Sequence, residues 1–161
     1  MASIIFICTG NMCRSPMAEG LLRTRLSELD RPDILVSSMG THAQTEQKAT
    51  DYAITVCSEK NIDITRHLSR HLDPLELKES DLIFVMEPVH KDFLNTFFPQ
   101  VSDRTFFLGS WPGPDNKKGI IKDPVGSSLE NYRKTFRILS DHIERITPFI
   151  LLRFSKGNIK N

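Results

Sequence analysis

The sequence predicts an α/β fold in which helices cover both faces of a doubly wound parallel sheet. Apolar runs of strand length alternate along the chain with segments of helical periodicity, and this alternation is typical of right-handed βαβ units. The two strongest runs, SIIFIC at residues 3–8 and DLIFVM at residues 81–86, are apolar over most of their length. Strands of a parallel sheet have this composition because helices bury both of their faces.

The elements of the first half can each be placed from a local pattern. The strand at residues 3–8 is followed by a helix, with Ser15 as the expected N-cap and Pro16 at the first helical position. A weaker strand candidate covers residues 34–38. The apolar spacing within residues 46–60 predicts the second helix.

The second half continues the same alternation. After the strand at residues 81–86, the sequence predicts a helix over residues 89–97 and a weaker strand over residues 104–108. The last helix has the clearest pattern, because apolar residues recur every three or four positions between residues 129 and 150. Ser127 and Glu130 have capping-box spacing at its start, and Pro148 is expected to kink or end it.

The composition predicts one domain over residues 1–154 and a polar tail over residues 155–161. A net charge of +1 gives no electrostatic basis for binding nucleic acid or an anionic membrane. The hydropathy pattern shows neither a secretory leader nor a membrane helix, so we expect a cytoplasmic protein. The three cysteines suggest no disulfide framework, and the histidines lack the spacing of metal ligands.

A stretch of nine residues, CTGNMCRSP at residues 8–16, connects the first strand to the first helix. Its two cysteines, arginine and serine allow four interpretations: a redox pair, a metal site, a polar turn, or a nucleophile in an anion-binding loop. Ligands of doubly wound sheets bind beyond the carboxyl ends of the strands, where this stretch lies. That position favours the fourth interpretation.

The residue types in this stretch supply the parts that an anion-binding loop needs. Gly10 and Asn11 permit a tight turn whose N–H groups point inward. The helix N-terminus adds positive potential, and Arg14 adds a fork that matches phosphate oxygens. We therefore expect Cys8 to ionise readily, with Ser15 donating a hydrogen bond to its sulfur.

The spacing Cys8-x5-Arg14-Ser15-Pro16 resembles the loop of the low-molecular-weight protein-tyrosine phosphatases. Other segments are similar to the family in the same order, over about residues 3–150. The resemblance implies a flavodoxin-like three-layer sandwich with a four-stranded parallel sheet. The further matching segments are SMGT at residues 38–41, HLSR at residues 67–70, DLIFVM at residues 81–86, and the pair Asp123-Pro124.

The resemblance also implies a mechanism. Cys8 would attack phosphorus and form a cysteinyl-phosphate, while Arg14 and the loop N–H groups hold the phosphoryl oxygens. Asp123 would protonate the leaving group and then act as the base for water. Ser15 would stabilise the thiolate. The family uses no metal or organic cofactor, and the expected partner is a phosphorylated protein acted on by a monomer or weak dimer.

The remaining site residues follow from the same resemblance. Asn11 would fix the loop backbone, supported by Ser38 and by His67, which matches the histidine that hydrogen-bonds this asparagine in the family. Cys13 matches a second loop cysteine that can form a reversible disulfide with Cys8. The residues expected at the phosphate are Thr9, Gly10, Asn11, Met12, Cys13 and Val125.

Several positions bear on the substrate. Aromatic residues that wall the pocket of many tyrosine phosphatases in this family are replaced here, one by Val125 and another by the segment at residues 42–44. The segment after Asp123 and the threonine of CTGN are closer to bacterial protein-arginine phosphatases of the same family. Those enzymes typically carry threonine where Met12 stands, and an apolar methionine favours a phosphotyrosine ring. We therefore predict a tyrosine phosphatase, with phosphoarginine as the alternative.

Two other classes of protein share parts of this pattern. Arsenate reductases have the same fold and loop, but they need further cysteines on a mobile segment. Here the remaining thiol, Cys57, is expected in the core on a helix. A non-catalytic phosphoprotein-binding module would be expected to lack the nucleophile, the arginine or the acid, and all three are present.

Overall fold

The structure is a computed structural model that describes residues 1–155. Four parallel strands form one sheet in the order β2-β1-β3-β4. This topology confirms the predicted four-stranded parallel sheet. The strands are β1 (Ala2–Cys8), β2 (Ile34–Gly40), β3 (Leu82–Val85) and β4 (Thr105–Phe107).

Five α-helices within residues 1–155 cover the two faces of the sheet. They are α1 (Arg14–Glu28), α2 (Asp51–Ser58), α3 (Pro74–Glu79), α4 (Pro88–Phe97) and α5 (Leu129–Arg153).

Alternate side chains of β1 enter different cores, because successive side chains of a strand point to opposite faces. Ile4 and Phe6 pack with side chains of α1, α2 and α5. Ile5 and Ile7 pack with side chains of α3 and α4. All four β1 side chains are fully buried, so the central strand is fixed from both sides and its carboxyl end is held rigidly.

Several predicted helix boundaries were wrong. Helix α1 begins at Arg14 and its N-cap is Cys13, not Ser15, because the Ser15 hydroxyl bonds to neighbouring side chains of the loop instead. Helix α2 begins at Asp51 rather than near residue 46, and Thr50 caps it by accepting the N–H of Ala53.

Helices α3 and α5 also differ from the sequence prediction. Helix α3 was not predicted at all, although Asp73 caps it. Helix α5 is capped by Ser128, not Ser127, and it continues through Pro148 to Arg153. The Ser127 hydroxyl donates to the carbonyl of Pro124, so it is committed to the preceding turn.

No helix among residues 1–155 is both long enough and apolar enough to cross a membrane. Apart from Ser155, the predicted polar tail lies outside the described residues.

Candidate active site

The end of β1 delivers Cys8 to the edge of the sheet, and the loop at residues 9–13 leads into α1. The end of β2 packs closely against this loop. A Cβ atom on Gly40 would lie 2.6 Å from the carbonyl oxygen of Thr9, which is closer than real Cβ contacts allow. The pairing of the two strands continues past their ends, since the N–H of His42 donates to the same carbonyl at 2.9 Å.

The Cys8 sulfur is buried and lies 2.9 Å from the hydroxyl oxygen of Ser15. The Asn11 amide donates to that same oxygen at 2.8 Å. Because the oxygen accepts from Asn11, the Ser15 proton is available to the sulfur. The N-terminus of α1, which begins one residue before Ser15, directs its positive potential toward the same region.

Asn11 is the residue that shapes the loop. Its φ of 55° is left-handed, a conformation that asparagine tolerates better than most residues. Its side chain is fully buried, donates to Ser38 at 2.9 Å, and accepts the N–H of Arg70 at 3.0 Å. At Gly10, by contrast, there is room for a larger side chain, since a Cβ atom there would meet no atom within 4 Å.

His67 contacts the Asn11 backbone rather than its side chain. Its Nε2 lies 2.6 Å from the Asn11 carbonyl oxygen, so Nε2 must carry the proton. Its Nδ1 lies 4.0 Å from the carboxylate of Glu19, which also accepts the hydroxyl of Ser38. Glu19 of α1 therefore connects the two side chains that were predicted to support the loop.

Arg14 is buried, with 1% of its side chain exposed, between two carboxylates. Its Nη1 lies 3.0 Å from Oε2 of Glu87 and donates to the carbonyl of Ile121 at 2.8 Å. Its Nη2 lies 3.3 Å from Oδ2 of Asp123. Its Nε is buried and has no hydrogen-bond partner among residues 1–155. A buried donor without a partner costs free energy, and a bound anion would remove that cost.

Asp123 reaches this position from a loop far along the chain. Oδ1 accepts the N–H of Val125 at 3.0 Å, which orients the carboxylate, while Oδ2 faces Arg14. The side chain is 35% exposed, so it can meet both a substrate and water. The guanidinium thus links the carboxylate to the loop that begins at Cys8.

Glu87 was missed by the sequence analysis. It directly follows Met86 at the end of β3 and is the N-cap residue of α4. Because β3 is parallel to β1 and adjacent to it, its carboxyl end lies at the same edge of the sheet. The rule that ligands bind at the carboxyl ends of parallel strands could have identified it.

Cys13 lies in a different environment from Cys8. Its sulfur is 3.2 Å from the hydroxyl of Tyr132 on α5 and 3.4 Å from that of Thr50. Burial raises the pKa of the Cys13 thiol, and the nearby negative charge of Asp123 acts in the same direction. All three cysteines are free, and burial raises the pKa of Cys57 to about 12.

The other predicted site residues have different environments. The Thr9 hydroxyl is 2.9 Å from Nε2 of His90. The Met12 side chain is partly buried against the core that contains Ile4 and Phe6. The backbone carbonyl of Met12 accepts the N–H of Thr50. Val125 is 60% exposed, and its small aliphatic side chain stands where an aromatic wall was expected to be missing. Within residues 1–155, no group of three or more His, Cys, Asp or Glu side chains is placed to hold a metal ion.

A buried arginine beside a cysteine loop at the carboxyl edge of a parallel sheet, with a carboxylic acid opposite, defines a cysteine-dependent phosphatase. The sequence matches the low molecular weight phosphotyrosine protein phosphatase family over residues 3–151. The chain belongs to this family, and it is a phosphatase.

Relatives with two different substrates are similar to the chain. The protein-arginine-phosphatase of Bacillus subtilis is 35% identical over 132 residues, which are 82% of this chain and 85% of the relative. The arginine phosphatase from Geobacillus stearothermophilus superposes with a TM-score of 0.87 at 31% identity, covering 100% of both chains. The low molecular weight protein tyrosine phosphatase from T. tengcongensis superposes with a TM-score of 0.86 at 33% identity, covering 92% of this chain and 99% of the other.

Proposed function

We propose that the protein hydrolyses phosphotyrosine residues of proteins through a cysteinyl-phosphate on Cys8. The observation that carries this proposal is the placement of Arg14. Its buried guanidinium pairs with Asp123, and its Nε has no hydrogen-bond partner within residues 1–155. A group suited to binding phosphate therefore lies next to the carboxyl group that can act as the general acid. The sulfur of Cys8 lies at the start of the same loop.

In the first step, the Cys8 thiolate attacks phosphorus while the bond from phosphorus to the phenolic oxygen breaks. Asp123 transfers its proton to the leaving oxygen. Arg14 and the backbone N–H groups at residues 9–13 stabilise the charge on the three remaining oxygens. The products of this step are a tyrosine side chain and the phosphorylated cysteine.

In the second step, a water molecule attacks the phosphorus of the intermediate. Asp123, now a carboxylate, takes a proton from the water as the S–P bond breaks. The released thiolate is stabilised by the hydroxyl of Ser15, 2.9 Å from the sulfur. The enzyme returns to its starting state with inorganic phosphate as the second product.

Met12 supports phosphotyrosine as the substrate. Its thioether side chain is partly buried against the core that contains Ile4 and Phe6. A thioether can pack on an aromatic ring, but it offers no good acceptor to a guanidinium. The alternative is phosphoarginine. Two observations favour that alternative: the similarity to two arginine phosphatases and the exposed, non-aromatic side chain of Val125.

Turnover of two matched phosphopeptides, one with phosphotyrosine and one with phosphoarginine, separates these substrates. We expect the parent protein to have the higher kcat/KM for phosphotyrosine. Met12→Thr is expected to shift the ratio of the two kcat/KM values toward phosphoarginine by about tenfold, since one well-placed hydrogen bond contributes about 1.5 kcal/mol. Faster phosphoarginine turnover by the parent would reject the first proposal in favour of the second.

Cys8→Ser is the control for the mechanism. It keeps the size of the side chain but removes the nucleophilic sulfur, so both activities should fall to background. Full activity of this variant would rule out the cysteinyl-phosphate mechanism for either substrate.

Other predictions stay open as part of this proposal. A regulatory disulfide between Cys8 and Cys13 would require Cys13 to leave Tyr132 and Thr50, which now hold its sulfur. We also propose a single domain, a monomer or weak dimer, and a cytoplasmic location. Size-exclusion chromatography with light scattering would test the oligomeric state.

A further inference from the structure

A buried histidine on α4 is hydrogen-bonded to the residue that follows the nucleophile. His90 is fully buried, and its Nε2 lies 2.9 Å from the hydroxyl oxygen of Thr9. Nothing in the mechanism proposed above uses this imidazole. Both ring nitrogens of His90 have hydrogen-bond partners, and this fixes the orientation of the ring toward Thr9.

The backbone fixes the tautomer of this imidazole. Nδ1 of His90 is approached by two donors, the N–H of Glu87 at 3.2 Å and that of Met86 at 3.4 Å. A nitrogen that accepts cannot also carry the proton, so the proton is on Nε2. Nε2 therefore donates to the Thr9 hydroxyl oxygen.

The neutral form of the ring is strongly favoured. Burial lowers the pKa of His90 to about 3, and the neighbouring charges of Arg14 and His42 act in the same direction. The direction of the hydrogen bond to Thr9 is therefore constant over the working range of an enzyme.

The Thr9 hydroxyl has one proton to donate once its oxygen has accepted from His90. No other side chain among residues 1–155 forms a hydrogen bond with that hydroxyl. Thr9 belongs to the loop between Cys8 and Arg14, where the phosphoryl oxygens bind in the proposed function. A phosphoryl oxygen is the acceptor that this arrangement lacks.

We propose that His90 is a positioning residue that turns the Thr9 hydroxyl proton toward a phosphoryl oxygen of the bound substrate. The same ring caps α4 through Nδ1 and so holds Glu87, which pairs with Arg14. One imidazole thereby positions donors on two sides of the phosphate site. This inference rests on the proposed function, because it assumes that phosphate binds in the loop.

Four variants separate the positioning role from a purely structural one. Thr9→Val keeps the shape of the side chain but removes the hydroxyl. His90→Asn keeps an acceptor at the Nδ1 position but cannot reach Thr9. His90→Gln can place an amide donor near the Nε2 position. The fourth is the Thr9→Val, His90→Asn double variant, and each is compared with the parent by the inhibition constant of inorganic phosphate, by kcat, and by Tm.

We expect Thr9→Val and His90→Asn each to weaken phosphate binding about tenfold, since the first removes the hydrogen bond from the Thr9 hydroxyl to the phosphate and the second removes the donor that directs that hydroxyl proton. The double variant should bind phosphate no more weakly than either single variant, because both changes remove the same chain of hydrogen bonds from His90 through Thr9 to the phosphate. His90→Gln should stay within about threefold of the parent. A merely structural role would instead lower Tm without this pattern of rescue and non-additivity.

Three results would overturn the proposal: parent-like phosphate binding by Thr9→Val, parent-like phosphate binding by a folded His90→Asn variant, or a loss in the double variant that equals the product of the two single losses. If His90→Asn does not fold, parent-like phosphate binding by Thr9→Val still overturns the proposal, and the comparison of His90→Gln with Thr9→Val still tests the rescue. Failure of the proposed function is a different outcome, because the parent protein itself would then neither bind inorganic phosphate in competition with an aryl phosphate nor hydrolyse the ester.

Discussion

The three cysteine side chains differ in environment although two of them belong to one loop. Cys8 lies near the N-terminus of α1 with Ser15 against its sulfur. Cys13 points to the hydroxyls of Tyr132 and Thr50, and the pKa of its thiol is raised mainly by burial. The pKa of Cys57 is raised to about 12 for the same reason. Few thiolates are therefore present at the last two positions near neutral pH.

Alkylation by iodoacetate at pH 7 should modify Cys8 first. The reagent is an anion, so the loop that we propose to bind phosphate should attract it to the sulfur of Cys8, while Cys13 and Cys57 offer little thiolate. Mass spectrometry of peptides after partial reaction measures the site. Inorganic phosphate should slow the reaction by occupying the loop. Equal labelling of Cys57 would contradict this prediction.

Asn11 combines a left-handed backbone with a buried side chain, so two substitutions can separate these features. Asn11→Ala and Asn11→Gly both lose the hydrogen bonds to Ser15 and Ser38. Only alanine is strained at a φ of 55°, by about 1 kcal/mol. We expect the glycine variant to be more stable by about that amount in urea unfolding, although glycine usually destabilises.

The same pair tests the role of the Asn11 side chain in catalysis. Both variants should lose activity on an aryl phosphate, because Ser15 no longer has the donor that directs its proton to Cys8. Equal stability of the two variants would show that the backbone at this position relaxes. Parent-like activity in either variant would show that the side chain is not needed.

At the scale of single residues, the sequence could predict the types of group in the loop but not all their contacts. Cys8, Arg14 and Asp123 could be predicted as candidate site residues from spacing and from family resemblance. Glu87 has no motif of its own, and its contact with Arg14 exists because β3 lies next to β1. The contact between His67 and the Asn11 carbonyl likewise depends on how a distant loop returns to the site.

The helices show where local sequence signals are sufficient and where they are not. Helix α5 was predicted because its apolar side chains recur every three or four residues over many turns. Helix α3 has six residues, too few for a period to emerge. Glu46, where α2 was expected to begin, has a φ of 61°, so the backbone there cannot be helical. Short elements and helix starts are decided by tertiary contacts as well as by sequence.

Pro148 provides a test at the scale of one helix. It lies inside α5, where it cannot donate a hydrogen bond to the carbonyl of Glu144 and its ring crowds that carbonyl. Pro148→Ala should stabilise the protein by about 1 kcal/mol and raise Tm by about 3 °C. Lys134→Ala, at an exposed position of the same helix, is the control for general helix propensity. A lower Tm for Pro148→Ala would show that the packing of α5 requires a kink.

For the whole molecule, the order of the strands explains why distant residues meet. Cys8 ends β1 and Glu87 follows β3, and these strands are adjacent and parallel in the sheet. Asp123 comes later in the chain and is held to the same edge by Arg14. The alternation of strands and helices was enough to predict this edge as the candidate site. It could not specify which loop side chains pack beneath it, because long-range packing leaves no periodic signal.

Burying a neutral histidine beside the site should also make the whole protein sensitive to acid. The pKa of His90 is about 3 in the folded protein, against an ordinary value of 6.5. Below pH 6.5 the unfolded chain binds a proton at this position that the folded protein does not bind. The free energy of unfolding therefore decreases as the pH falls from 6.5 toward 3, and this group has no effect above that range.

Urea unfolding at several pH values measures this contribution. Between pH 6.5 and pH 4.5, His90 should reduce the free energy of unfolding by about 2 kcal/mol, since one proton corresponds to about 1.4 kcal/mol per pH unit. His90→Gln removes the titrating group, so its stability should decline less over this interval, whatever its stability at pH 7. His71→Gln is the control, because it removes an exposed histidine, and it should follow the parent. Parallel pH profiles for the parent and His90→Gln would mean that the buried imidazole accepts a proton without unfolding.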